Sequence, residues 1–220
     1  MPVPVSNNRP LLLGHRGART VRSIPENTIQ SFEQALADGC DGFEFDVRLT
    51  ADGEAVVCHD PRVGRIEIAQ ASCADLPALP RLEEVLARFH KRAFLDVELK
   101  VGGLEESTIS LVRKYPPAGG VVVSSFLPEV LWAVRAQDAS LPLGLICETV
   151  EESRMWESVP GEYVILHHRL FSPERIAELK SAGKKTLVWT VNDSRMMARC
   201  CDRGANGIIS DDAALLCRTL

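Results

Sequence analysis

At 220 residues and 45% hydrophobic content the chain is long enough to bury one substantial core. A formal charge of −5 argues against a dedicated nucleic-acid binder, which would carry a basic face, and no run approaches the ~18 apolar residues of a transmembrane helix. The opening MPVPVSNNRP has neither the basic nor the apolar segment of a signal peptide, so a cytoplasmic protein without stable membrane insertion is expected.

Short apolar runs alternate with helical patterns along the chain. Residues 11–14 read as a strand running into His15-Arg16-Gly17. Pro25-Glu26-Asn27 opens a helix with Ile29, Phe32 and Leu36 on one face, Asn27 as its expected N-cap and Gly39 just past its end. Residues 42–60, GFEFDVRLTADGEAVVCHD, read as a hairpin. In its first strand Phe43, Phe45 and Val47 share one face and Glu44, Asp46 and Arg48 the other. Asp52-Gly53 is a two-residue turn signal, and such a turn pairs Asp46 with His59, their Cβ atoms roughly 4.5–5.5 Å apart.

Residues 61–80 have weak periodicity and read as loop, and 82–90 as a short helix. The strand at 93–100 repeats the charged alternation, with Leu95, Val97 and Leu99 on one side and Asp96, Glu98 and Lys100 on the other. Helix 105–114, strand 120–124, helix 129–137, strand 143–148 and a helix around 151–157 follow. Strand 163–167, helix 173–182, strand 185–191, helix 194–203, strand 207–210 and a final short helix complete the order. Asp211 is a candidate N-cap for that last helix.

A parallel crossover needs a dozen or more residues, so the return strand at 54–58 cannot be a parallel neighbour. Eight strands with helical connections remain. They define an α/β protein, a (β/α)8 TIM barrel in one domain, residues 1–220, with a β-hairpin extension after the second strand. A doubly wound open sheet is the alternative, but no GxGxxG or P-loop pattern is present. The seven cysteines form no CxxC pair and read as reduced, mostly buried thiols.

Active sites of such barrels lie at the carboxyl ends of the strands. His15, Arg16, Glu44, Asp46, Glu98 and Lys100 all fall there, with His59 returned beside them by the hairpin. Three converging carboxylates, Glu44, Asp46 and Glu98, would repel unless a cation sits among them, and oxygen-only ligands favour Mg2+ or Ca2+. Ion pairing with Arg16, Arg48 and Lys100 is the competing way to satisfy them. Arg16 and Lys100 suit an anionic substrate such as a phosphate. His15 and His59 suit a division of acid and base work. Trp189 could project into the mouth as a platform for an apolar or glycerol-like group, although core packing is its commoner use. His167-His168 ends another strand without an assigned role.

HRG at 15–17, PENT at 25–28, E-x-D at 44–46, T-x-D-G at 50–53 and HD at 59–60 together resemble the glycerophosphodiester phosphodiesterase family. The resemblance continues through PRLEEVL at 80–86, LDVELK at 95–100, SSF at 124–126, WTVN at 189–192 and GANGIISD at 204–211. It implies a TIM barrel that uses a divalent cation to cleave glycerophosphodiesters to sn-glycerol 3-phosphate and an alcohol. It implies metal ligation by Glu44, Asp46 and Glu98, acid/base work by His15 and His59, and phosphate contacts from Arg16 and Lys100. It also implies attack of the glycerol 2-hydroxyl on phosphorus through a cyclic phosphate. The sequence departs from the family after His59-Asp60, where the usual insertion is abbreviated to about 61–80. A more open mouth there raises a lysophospholipase D-like activity on single-chain lipids as an alternative. A non-catalytic phosphoester-binding barrel is another.

Overall fold

The computed structural model describes residues 9–220, so most of the N-terminal segment read for a leader lies outside the described residues. Eight parallel strands close on themselves: β1 (Leu11–His15), β2 (Gly42–Leu49), β6 (Phe94–Leu99), β7 (Val121–Ser125), β8 (Leu143–Cys147), β9 (Tyr163–His167), β10 (Lys185–Trp189) and β11 (Gly207–Ser210). Pairing of β1 with both β11 and β2 completes the ring. Helices α1 (Ile29–Ala37), α2 (Leu82–Phe89), α3 (Glu105–Lys114), α4 (Pro128–Gln137), α5 (Val150–Ser153), α6 (Pro173–Ser181) and α7 (Ser194–Asp202) make the crossovers, and α8 (Ala213–Thr219) follows the last strand. The barrel expectation holds. The weakest crossover is α5, a single turn closed by a reciprocal Thr149–Glu152 capping box and continued by a 3-10 turn.

Strand alternation sorts the core into two layers. Phe43 and Phe45 point outward against the helices, where Phe32 stacks on Phe43 at 4.2 Å and Phe89 meets it edge-on at 5.0 Å. The inward set, Leu13, Phe94, Val122, Ile146, Tyr163, Ile165, Leu187 and Ile209, forms a separate apolar cluster filling the barrel. Above that plug, toward the carboxyl ends, the inward positions of β1, β2 and β6 turn polar.

The hairpin strand β3 (Ala55–Val57) runs antiparallel to β2 and takes the β2 edge that β1 has left. Its register differs from the sequence expectation. Val47 pairs with Val57 and Leu49 with Ala55, so Asp46 lies opposite Cys58, whose N–H donates to the Asp46 carbonyl at 3.0 Å. The turn holds three residues, not two. Gly53 adopts φ +83°, its N–H donates to the Thr50 carbonyl, and the Thr50 hydroxyl donates to the Asp52 carboxylate at 2.6 Å. Those bonds select the longer loop with a left-handed glycine. Residues 61–80 are a small cap. Strands β4 (Arg62–Val63) and β5 (Ile66–Glu67) pair, and the buried Ile68 anchors the segment.

Two helix starts also differ. Thr28, not Asn27, caps α1, its hydroxyl accepting from the Ser31 N–H. Asp212, not Asp211, caps α8. In both cases the expected cap has its side chain committed to the barrel mouth.

Candidate active site

Parallel register builds the polar half of the mouth. His15 pairs with Glu44, Glu44 with Asp96, and Asp46 with Glu98. Because paired residues share a face, one imidazole and four carboxylates point into the same end of the barrel. Glu44, Asp46 and Glu98 each offer an oxygen within 4.8 Å of the others, and all three are buried.

Burial at that spacing decides their ionisation. Burial and then the neighbouring Asp46, Glu98 and Asp96 push Glu44 well above the usual carboxylate range. Burial and Asp46 push Glu98 up to about 7, and burial pushes Asp96 up to about 7. Burial opposes ionisation of Asp46 as well, yet Lys100, Arg16 and Asn27 hold it below its ordinary value. Lys100 Nζ is 3.3 Å from Asp46 Oδ1 and makes an ion contact with Glu98 Oε1 at 2.5 Å. Arg16 Nε is 3.1 Å from Asp46 Oδ2, and Asn27 Nδ2 donates to that oxygen at 2.8 Å. Two cations face three or four carboxylates, and Glu44 Oε1 and Asp96 Oδ2 are buried without a hydrogen-bond partner among the described residues. Ion pairing therefore accounts for only part of the cluster. The surplus of buried oxygen donors fits a hard divalent cation such as Mg2+ or Ca2+.

His15 Nδ1 is 2.6 Å from Asp211 Oδ1, and its Nε2 is 3.7 Å from Glu44 Oε2. Asp211 also accepts from Arg19 Nη1 at 3.2 Å and Asn192 Nδ2 at 2.6 Å. Burial opposes its ionisation, but the bonds from His15, Asn192 and Arg19 keep Asp211 strongly acidic. It thus fixes His15 with Nδ1–H inward and Nε2 toward the site. Arg16 adopts φ +54°, its backbone N–H donates to Glu44 Oε2 at 3.1 Å, and its Nη1 donates to Glu26 at 2.8 Å. Gly17 lets this turn sit on α1, since a Cβ there would lie 2.2 Å from Ser31 Oγ.

His59 reaches the mouth by a route other than cross-strand pairing. In the observed register a continued β3 would turn His59 to the Phe45 face, away from the carboxylates. The strand ends at Val57 instead, and Arg48 Nε donates to the His59 carbonyl at 2.7 Å. His59 Nδ1 then lies 2.8 Å from Asp60 Oδ1, and the residue lines the same cavity as His15.

That cavity has a volume of about 320 Å³. One half is charged: His15, Arg16, Glu44, His59, Asp96, Glu98 and Lys100. The other is mainly apolar: Phe126, Ile146, Ile165, Trp189 and Ile209, with Glu148 at its edge. Asp46 belongs to the carboxylate cluster without being among the lining residues. Trp189 is at the wall, not in the outer core, with its ring edge-on to Phe126 at 5.5 Å and to His167 at 5.3 Å. Every residue singled out for the site thus converges on one place. Asp96, Asn27, Asn192 and Phe126 were not singled out. Strand parity with Glu98 would have found Asp96. Asn27 and Asn192 act through contacts distant in sequence, which spacing does not encode.

The model of the glycerophosphoryl diester phosphodiesterase family matches this chain over residues 15–79 and 69–215. A glycerophosphodiester phosphodiesterase of Caldanaerobacter subterraneus is 32% identical over 94% of this chain and 96% of its own length. One from Bacillus subtilis is 28% identical over 94% of this chain and 85% of its own. Among solved structures, an Oleispira antarctica phosphodiesterase in complex with the product sn-glycerol-3-phosphate has a TM-score of 0.83 at 24% identity, covering 96% of each chain. A Thermotoga maritima glycerophosphodiester phosphodiesterase gives 0.83 at 22% identity, covering 98% of this chain and all of the other.

Proposed function

The chain belongs to the glycerophosphoryl diester phosphodiesterase family and is a glycerophosphodiester phosphodiesterase; from that premise we propose a metal-dependent hydrolysis to sn-glycerol 3-phosphate and an alcohol, with His15 and His59 moving the protons. The observation that carries this reading is the buried carboxylate cluster with orphaned oxygens, set between two oriented imidazoles.

Glu44, Asp46 and Glu98 would hold the ion, Mg2+ or Ca2+. When bound, it supplies positive charge that neutralises the cluster and polarises oxygens at the reacting phosphoester. Arg16 and Lys100 offer two cations to a phosphate group at the charged half of the cavity. Each histidine has its Nδ1 tied to a carboxylate, which leaves Nε2 available for proton exchange. One removes the proton from the attacking hydroxyl and the other protonates the departing alkoxide, a division worth roughly 10²–10⁴ in rate for each proton transfer. Trp189 with Phe126 forms the wall against which the carbon skeleton of the substrate packs.

Product identity is the test. Incubated with glycerophosphocholine and a divalent ion, the protein releases sn-glycerol 3-phosphate and choline. Release of glycerol and phosphocholine would place the cleaved P–O bond on the wrong side and overturn the reading.

A further inference from the structure

The end of the barrel opposite the site holds a second pair of reactive groups. Cys40 lies in the turn between α1 and β2, and Cys217 in the last turn of α8, with their Sγ atoms 3.6 Å apart. The two residues are 177 positions apart in the chain. No other pair of the seven thiols makes such a contact. We propose that Cys40 and Cys217 form an oxidation site that closes to an intramolecular disulfide on exposure to a hydroperoxide or a small-molecule disulfide.

The geometry leaves about 1.5 Å to close, since a disulfide spans roughly 2.05 Å. Cys40 is fixed from below, its N–H bonded to the Ala35 carbonyl and its neighbour Asp41 bonded to Arg9 and to the Leu12 N–H. The movement therefore falls on α8, a helix of seven residues that carries Cys217 in its last turn. Cys217 is half-buried, which admits a small oxidant, while Cys40 is buried beneath it. The shared S–H···S contact sets their acidities apart. That bond, with burial, raises the Cys40 thiol, and it lowers the Cys217 thiol. Cys217, the thiol an oxidant can reach, is the attacking thiolate, and Cys40, buried beneath it, the resolving thiol. Cys147 and Cys200, by contrast, are buried and pushed up to about 12.

With a hydroperoxide the step balances as follows. The Cys217 thiolate attacks the peroxide oxygen, the O–O bond breaks, and the departing oxygen takes a proton to leave as an alcohol or water. The Cys40 sulfur then attacks the Cys217 sulfenic sulfur. An S–S bond forms, the S–O bond breaks, and the hydroxyl leaves as water with the Cys40 proton. The peroxide is reduced by the two electrons that the thiols lose. With a small disulfide, two exchange steps give the protein disulfide and two small thiols.

Because both cysteines sit at the amino ends of the strands, the bond staples α8 to the entrance of β2 without touching the mouth. The native protein is treated with hydrogen peroxide or oxidised glutathione, alkylated, digested and analysed by mass spectrometry. The expected result is a peptide pair linking Cys40 to Cys217, lighter than the reduced pair by two hydrogens. A melting temperature raised over the reduced form, unchanged turnover, and reversal of the link by reductant accompany it. In Cys217→Ser, a substitution at a half-buried position, the link and the thermal gain are both absent. Both thiols remaining fully alkylated after an exposure that oxidises glutathione in the same tube would overturn the proposal. So would a link joining other cysteines.

Discussion

Removing divalent ions makes stability depend on pH in a way that separates metal holding from simple ion pairing. Glu98 rises from an ordinary 4.5 to about 7 in the fold, so the folded state favours its protonated form. Stability from that preference is fully present below the unfolded pKa and is lost as pH rises through 7. Between pH 5 and pH 8 that preference is worth on the order of 2–3 kcal/mol for this one carboxylate. Asp96, also near 7, adds a loss in the same direction. Asp46 and Asp211 are held low and remain ionised across that window, so they contribute no slope. Denaturant unfolding in excess EDTA at pH 5 and pH 8 measures the difference. The expected result is a loss on the order of 2–3 kcal/mol or more at the higher pH, largely abolished by saturating Mg2+ or Ca2+. Equal stability at both pH values in EDTA would refute the reasoning, because Arg16 and Lys100 would then be neutralising the cluster unaided.

His15→Ala and His59→Ala are each expected to lower kcat by roughly 10²–10⁴ in a glycerol 3-phosphate release assay while leaving the melting temperature nearly unchanged for the half-exposed His59. Turnover within twofold of wild type in either variant would remove that histidine from the chemistry. Arg48→Ala takes the donor from the His59 carbonyl, and is expected to lower kcat while adding little in a His59→Ala background; fully additive losses would contradict a positioning role. Phe43→Ala leaves a cavity between the stacked Phe32 ring and the edge-on Phe89 ring and costs about 3–5 kcal/mol by chemical denaturation, whereas a cost under 1 kcal/mol would mean that the outer layer repacks.

The barrel and most of the site were legible because both depend on short-range periodicity. Alternation in GFEFDV and FLDVEL separates outward phenylalanines and leucines from inward carboxylates, and parallel register then sets Asp46 beside Glu98. The hairpin exposes where such reading ends. Asp52-Gly53 marked the turn correctly, but loop length followed from the Thr50 hydroxyl bonding Asp52, a side-chain choice that the dipeptide does not specify. That single residue moved Asp46 opposite Cys58, so the cross-strand derivation of the Asp46–His59 contact fails. His59 arrives at the cavity because Arg48 anchors its carbonyl after the strand ends. By residue type Asn27 and Asp211 read as helix caps, a role that Thr28 and Asp212 take instead. Their actual partners, Asp46 and His15, lie 19 and 196 residues away, beyond any local pattern.

The central claim is that Glu44, Asp46 and Glu98 share one divalent ion on which turnover depends. Protein stripped with EDTA and then titrated with Mg2+ or Ca2+ tests it, following sn-glycerol 3-phosphate release from glycerophosphocholine. Turnover is predicted to vanish in EDTA, to return along a one-site saturation curve, and to require far more ion in Glu98→Gln. Full turnover in excess EDTA would contradict the claim.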